Sequence, residues 1–592
     1  MIERKEAPSA RAFTRDAPSQ PMAPVTTTRF MRPQPYLRSA TELKEVGQTR
    51  GWRERVHALT EGSLVAKATI LVALVGVIRI ALRPAELQHD VAMYLQAGQL
   101  LLRGQRPYVD FIDVNPPLIV YLSAIPAAVS ALLRTPIAPT ALLLTAAAAL
   151  LSLAAFRREL TNAFHEAGDD PRIAEVAVLA LAFALFLSDF PERVDLPFPG
   201  NAPSDPRLSA IFGQREHLFI IGSAPFLALR VARRQGRQPK AGRAVLFGVI
   251  ASVVACLKPQ LVLALVAFEV GLVDRKRWRP SWGVELIAFA AGVLAYVGHF
   301  ALLPEAVRAA WFGRWLPFVI QGYGVFNEAS PWDSLARTWP AVVAVAAGYG
   351  LSVSHNASAQ KLIRAFASMA VAGALLYVLQ RKGWTYHAFP ERVAVMVTLA
   401  CALAAATTVG LAGDVGSAVV IPFTRQRLAQ LLVALVVLAG VACVVCLVRI
   451  DTPTDVDRLR RRSQVMRTID TFTKEGDPVL VATTSVWDPY PALTLQNRTP
   501  GSRYLWLFPI PMMQAVSSGD PEGAFVRDLA EDIRTRRPTL LLLQTGRCFG
   551  CKKASVDAFF REHAPLAAAL EDYSLRGTVR DGQELQVFVR VR

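Results

Sequence analysis

The sequence predicts a polytopic α-helical membrane protein that ends in a soluble α/β domain. Three observations lead there. Apolar runs of roughly 17–25 residues, the length that crosses a hydrocarbon core, recur along the chain. The 592 residues are 53% hydrophobic with a mean hydropathy of +0.32, too apolar for a soluble protein of this size. After residue 450 the pattern gives way to short β-rich runs alternating with helical ones.

Residues 1–60 are rich in Pro, Arg and Thr, carry no apolar stretch or signal peptide, and read as a disordered cytoplasmic tail. Residues 61–450 form the transmembrane domain. Eleven spans fit best: 64–83, 136–156, 173–189, 209–229, 243–257, 259–273, 283–303, 338–354, 362–379, 392–412 and 429–449. Lys and Arg in the short loops orient them. Residues 1–55 hold eleven Lys/Arg against six acids, 230–243 six against none, and 274–280 four against one. All three lie on one side if the N-terminus is cytoplasmic. The 188–207 loop, with four acids and two bases, then lies outside.

Residues 116–134 are also apolar enough to span, but counting them would move the basic 230–243 turn outside. They read instead as a helix lying at the outer surface. Asn115 is its N-cap before Pro116 and Pro117, and Pro126 interrupts it. With that parity, residues 84–115, GQREH (213–217), Lys258, the 304–337 loop, RKGWTYH (381–387) and everything after 450 share the extracytoplasmic face.

Residues 451–592 read as a separate α/β domain with a mostly parallel sheet. Strand-like runs at 479–484, 539–544 and 584–591 alternate with helical patterns at 456–474, 521–537 and 555–573. Cys548 and Cys551 form a CxxC here. No second pair completes a zinc site, so a local disulfide in an oxidising compartment is the preferred reading. Cys256, Cys401, Cys443 and Cys446 lie in apolar runs and read as packing residues. The net charge of +18 would raise nucleic acid as a partner in a soluble protein. In this chain it is explained by basic loops facing anionic lipid, and no nucleic-acid partner is expected.

The chemistry concentrates where ionisable groups meet the bilayer boundary, a costly place for them. QHDVAMYLQAGQLLLRGQRPYVDFIDVNPPLIVYL (88–122) follows the first span and carries His89, Asp90, Asp110 and Asp113. Asp90 can serve as general base on an acceptor hydroxyl, or simply favour a helix N-terminus. Asp110 and Asp113 can bind sugar hydroxyls, and Asp113 can cap the following helix. Arg215, Glu216 and His217 point in different directions around the start of a span. Arg215 can fork onto a phosphate, or these charges can merely snorkel. Lys258 sits at a break between two apolar runs, as a turn lysine or a contact for an anionic lipid head. Lys382, Trp384, Tyr386 and His387 join aromatic-belt rings to cations, which suits a phosphate ester bearing a sugar. Arg79 and Arg83 could add to the positive field. No Walker loop, Ser–His–Asp order or His-rich metal motif rises above background.

At these residues the chain resembles the GT-C glycosyltransferases, membrane enzymes that use polyprenyl-phosphate-linked sugars. The likeness is nearest the branch of protein O-mannosyltransferases and lipid A aminoarabinose transferases. It rests on an acid just after the first span (Asp90), a helix ending in RGQRPY, the DVNPPL element at 113–118, and KGWTYHAFP at 382–390. Where many relatives have two adjacent acids, this chain has His89–Asp90. The resemblance implies a GT-C-like fold and Asp90 as catalytic base, with Arg215 and Lys382 contacting the lipid phosphate. Lys258 and His387 join those donor contacts, and His89, Asp110, Asp113 and Glu216 are the acceptor or sugar contacts. No metal or other cofactor is expected. The partners implied are a polyprenyl-phosphate sugar, a glycan, lipid or protein acceptor, and the bilayer of a bacterial-type inner membrane. A lateral apolar groove would admit the lipid tail. Two other classes remain open: a transporter or flippase of a lipid-linked sugar, and a non-catalytic envelope assembly protein.

Overall fold

In the computed structural model the described residues are 64–83, 85, 87–187, 211–273, 282–350, 357–409, 440–441, 456–516, 520–546, 548–551 and 555–591. The expected tail, the 188–207 and 274–280 loops, and most of the 429–449 span lie outside them.

The described chain is mostly helical. Its apolar part comprises α1 (Leu64–Leu82), α2 (His89–Leu102), α3 (Leu118–Leu133), α4 (Ile137–Glu166), α5 (Pro171–Leu187), α6 (Arg215–Arg234), α7 (Ala241–Cys256), α8 (Val262–Leu272), α9 (Val284–Leu302), α10 (Trp339–Gly350), α11 (Ala357–Gln380) and α12 (Phe389–Val409). Among the described residues five stretches are long and apolar enough to cross a membrane: Leu64–Leu82, Ile137–Glu166, Val284–Leu302, Ala357–Gln380 and Thr385–Ala406. Expected spans matched by α7, α8 and α10 contain helices of only 16, 11 and 12 residues. α6 carries charges at both ends. α7 packs on α9, α8 on α11, α11 on α12, and α4 on α6.

α2 begins where Gln88 turns out of helical geometry and its Oε1 accepts from the Val91 amide at 3.1 Å, satisfying an otherwise open N–H. α2 is buried on nearly every face and packs closely on α3. α3 differs from expectation in two ways. It runs through Pro126 without a break, and no side chain caps it, because Asn115 spends its amide elsewhere. Lys258 has extended dihedrals, and Pro259 opens a short 3-10 turn before α8, so the apolar run breaks at the lysine.

Between α9 and α10 lie Glu305–Arg308, a π-helix over Ala309–Trp315, a helix over Leu316–Gly322 and a 3-10 turn over Tyr323–Phe326. The C-terminal region contributes α13 (Gln464–Phe472), β1 (Pro478–Ala482), β2 (Thr499–Pro500), α14 (Pro521–Arg536), β3 (Leu540–Gln544), α15 (Val556–Glu562), β4 (Tyr573–Arg580) and β5 (Glu584–Arg590). Its sheet has the order β2-β1-β3-β5-β4. β1 runs parallel to β2 and β3, but β5 is antiparallel to both β3 and β4, so the sheet is mixed rather than mostly parallel. β4 was not anticipated. It follows the 555–573 helical pattern directly and is largely exposed, so it lacks the apolar run that marks β3.

This region packs on the helices, within one unit that spans 63–592. Thr494 Oγ1 donates to the Ala92 carbonyl at 2.8 Å, Arg536 Nη2 to the Asp110 carbonyl at 2.6 Å, and the Ile112 amide to the Arg503 carbonyl at 2.7 Å.

The α2–α3 contact needs a glycine. A Cβ at Gly98 would fall 2.6 Å from the Ser123 carbonyl carbon, which is backbone and cannot turn aside. Gly98→Val should therefore lower stability by about 1–3 kcal/mol, read as a lower melting temperature in detergent.

Candidate functional site

The ionisable residues at these helix ends meet in one cluster. Asp90, in the first turn of α2, accepts from Gln214 Nε2 at 3.1 Å, so the residue before α6 reaches across to it. His89 Nε2 lies 3.5 Å from Asp90 Oδ1, and Gln88 Nε2 lies 3.1 Å from the same ring nitrogen.

Asn115 is the hub of the next layer. Its Nδ2 donates to Asp113 Oδ2 at 2.8 Å and to the Tyr94 hydroxyl at 3.3 Å, and its Oδ1 accepts from Arg215 Nη1. The Arg215 guanidinium also lies 5.6 Å from the centre of the Tyr94 ring. Burial pushes the Asp113 carboxyl up to about 6, against the pull of its Asn115 hydrogen bond.

Arg215, Glu216 and His217 take three different partners, as their angular separation on α6 requires. Glu216 Oε1 accepts from Lys258 Nζ and lies 3.8 Å from His387 Nε2. His217 Nε2 meets the Leu185 carbonyl at 2.9 Å, and Nδ1 accepts from the Gly213 amide, which ties α6 to α5. Lys258 also donates to Gln380 Oε1 at 3.3 Å. Burial pulls its pKa down to about 8, although Glu216 opposes the fall.

Lys382 Nζ donates to the Tyr323 carbonyl at 2.7 Å and to Asn327 Oδ1 at 2.8 Å, and lies 4.1 Å from the centre of the Tyr323 ring. Burial pulls it, too, down to about 8, against the charge of Glu328. Tyr323 links the two halves. Burial pushes its hydroxyl up, and it sits in the combined field of Arg215, Asp90, Asp113 and Glu216.

Asp110 does not join. It is clamped bidentately by Arg106 at 3.0 and 3.1 Å at the surface, and the guanidinium beside it holds its carboxyl below the usual range. Cys548 and Cys551 are disulfide-bonded and buried in the C-terminal region. Among the described residues no three His, Cys, Asp or Glu side chains are grouped to hold a metal.

Two features distinguish the cluster from ordinary buried ion pairs. Among the described residues, neither Arg215 nor Lys382 has a carboxylate within 4.0 Å, and both are held by neutral amides or carbonyls. Buried polar atoms also converge here without a hydrogen-bond partner: Asp113 Oδ1, Gln214 Oε1, Arg215 Nε, Glu216 Oε2 and His387 Nδ1. Such atoms are rare in a folded interior, and each is a place where a ligand can bind. Lys258, by contrast, is already matched by Glu216. The arrangement offers a base at Asp90 and two cations able to take an anion.

Gln214, Asn115, Tyr94 and Tyr323 were not among the anticipated site residues. Gln214 and Asn115 could have been found as polar residues abutting ionisable ones at helix starts, but the two tyrosines carry no such signal.

No protein-family model matches the chain, and no curated protein does.

Asn115 bears on both halves of the hub. Asn115→Leu removes a donor and an acceptor together and leaves Asp113 and Arg215 buried without them. It should cost roughly 2–4 kcal/mol, read by thermal unfolding in detergent. An unchanged melting temperature would show that these bonds do not hold the site.

Proposed function

We propose that the protein is a membrane glycosyltransferase that moves a sugar from a polyprenyl-phosphate donor to a cell-envelope acceptor. The observation that carries this is a buried network in which Gln214 holds Asp90, the next residue Arg215 is held by Asn115, and Tyr323, in the field of both Asp90 and Arg215, holds Lys382; among the described residues neither cation has a carboxylate within 4.0 Å. The motifs shared with GT-C enzymes support it, and so do the five membrane-length helices. In this reading the chain crosses the bilayer eleven times, its N-terminus is cytoplasmic, and the site opens on the extracytoplasmic face of a plasma membrane.

The reaction is a single displacement with inversion. The acceptor hydroxyl attacks the anomeric carbon, a new C–O bond forms, and the bond from that carbon to the phosphate oxygen breaks. Asp90 takes the hydroxyl proton. Gln214 holds the carboxylate in place, and His89 bounds its other oxygen. The leaving polyprenyl phosphate gains charge as the bond breaks. Arg215 and Lys382 receive it, already desolvated and oriented, so they stabilise the transition state more than the ground state. Lys258 keeps Glu216 and His387 in register rather than receiving the phosphate itself.

Asp90→Asn should abolish transfer, by roughly a thousandfold or more, while leaving the protein folded. Asp110→Asn should stay near the unaltered protein, because that carboxylate only ties its own loop. Mass spectrometry of envelope glycans and lipid-linked sugars in cells carrying each variant makes the comparison. A full glycan profile with Asp90→Asn would refute the proposal.

The transfer rate should also be bounded in pH. Below about 6, Asp113 takes up a proton and loosens its hold on Asn115. Above about 8, Lys382 loses its proton and with it the charge that meets the phosphate. Lys382→Arg should keep part of the activity above pH 8, since guanidinium stays charged there while Lys258, also pulled down to about 8, still loses its proton. Rates across a pH series for both proteins check this.

A further inference from the structure

The C-terminal region does more than pack on the helices, for it brings an aromatic wall to His89, whose ring touches the Asp90 carboxylate. Trp487, on the loop after β1, meets His89 edge-on with ring centres 6.0 Å apart at 78°. Phe549 lies against Trp487, 5.1 Å between centres, and stacks on Phe326, 5.6 Å away at 22°. Trp487 and Phe549 are only partly buried, so each keeps ring surface open.

The wall is braced from behind. Asp488, next to Trp487, is buried and accepts from Thr483 Oγ1 at 2.7 Å and from Ser485 Oγ. Gln544 Oε1 accepts from Thr483 Oγ1 and from the Thr484 amide, fixing the loop to β3. The Cys548–Cys551 disulfide closes the turn that carries Phe549. Phe326 ends the 3-10 turn that begins with Tyr323, the residue whose carbonyl and ring hold Lys382. The wall is thus continuous with both the acid and the cation of the site. The same loop also sends Tyr490, fully buried, into the field of Asp113 with its hydroxyl unpartnered.

A braced, partly buried tryptophan against a histidine that itself touches a carboxylate suits one class of ligand well. A pyranose has a face of C–H bonds that packs on an aromatic ring, and edge hydroxyls that bond to a carboxylate and a tyrosine. An amphipathic ring held by its body leaves its tip free for hydrogen bonding. We infer that Trp487 and Phe549 form a sugar-binding subsite, contributed by the C-terminal region, that seats a pyranose ring beside Asp90. This rests on the transferase reading for its purpose, but the binding itself can be measured apart from turnover. The ring seated there belongs either to the acceptor glycan or to the donor sugar.

Purified full-length protein in nanodiscs, probed with an array of immobilised bacterial glycans and separately with undecaprenyl phosphate, tests it. The unaltered protein should bind glycans on the array, and Trp487→Ala should weaken that binding roughly tenfold. Trp487→Phe keeps a ring and should keep most of the binding. Undecaprenyl phosphate, which carries no sugar, should bind all three equally, which also shows that Trp487→Ala is folded. In a transfer assay, a rise in KM for acceptor alone assigns the ring to the acceptor, and a rise for donor alone assigns it to the donor sugar. Glycan binding unaffected by Trp487→Ala, or no glycan bound by the unaltered protein, would overturn the subsite. Neither result would touch the transferase reading, which fails only if Asp90→Asn leaves cellular glycans unchanged.

Discussion

Burying charge is the constraint on which this structure turns. An ionised group taken from water into a low-dielectric interior is costly unless something replaces its hydration. Here much of that replacement is made with amides. Asn115 serves Asp113 and Arg215 together, Gln214 serves Asp90, Asn327 serves Lys382, and Gln380 serves Lys258. An amide solvates a charge without cancelling it. Arg215 and Lys382 therefore remain electrostatically available, which a carboxylate partner would prevent.

Holding such groups in place requires a stiff frame, and the loop at 106–117 shows how it is made. Arg106 and Asp110 close its outer end. Tyr108 adopts a left-handed backbone with φ 66°, and its hydroxyl donates to the Asn115 carbonyl at 2.6 Å, folding the loop on itself. Trp315 Nε1 donates to the Tyr108 carbonyl, and Trp311 packs on the Tyr108 ring with centres 4.3 Å apart. Both tryptophans come from the π-helix at Ala309–Trp315, whose extra residue per turn changes the direction in which they point. From the other side the C-terminal region holds Ile112 through the Arg503 carbonyl and the Asp110 carbonyl through the Arg536 guanidinium. Asp113 and Asn115 are thus fixed by the helical part and the C-terminal sheet region together, so a disturbance in either reaches the site.

Much of this could be read from the sequence, because ionisable residues are conspicuous next to apolar runs. Asp90, Arg215, Lys258, Lys382 and His387 stand out for that reason, and the structure brings all five together. What could not be read was partnership. Glu216 and Lys258 are 42 positions apart, and Asn115 and Arg215 are 100 apart. Only the packing of α6 against its neighbours decides such pairs. Asn115 carried a local signal for capping, and tertiary hydrogen bonds overrode it. Pro126 carried a signal for interruption, yet α3 continues through it. β4 was missed because an exposed edge strand lacks the apolar alternation that reveals a half-buried one.

A second buried ionic cluster in the same chain sharpens the contrast. The basic stretch 230–243, which closes α6 and runs on beyond it and is seen in sequence as six uncompensated cations, is matched in space by acids from other helices. Arg230 is 0% exposed and meets Glu269 and Glu285, Arg233 also meets Glu285, and Arg237 and Arg243 share Glu159. There nearly every charge is cancelled by its opposite, which joins α4, α6, α8 and α9 but leaves little field for a ligand. At the other end of α6 the same kind of residue, Arg215, is given an amide instead. One helix thus carries an arginine built into a clamp and an arginine kept in readiness. The choice of partner, carboxylate or amide, separates the two roles.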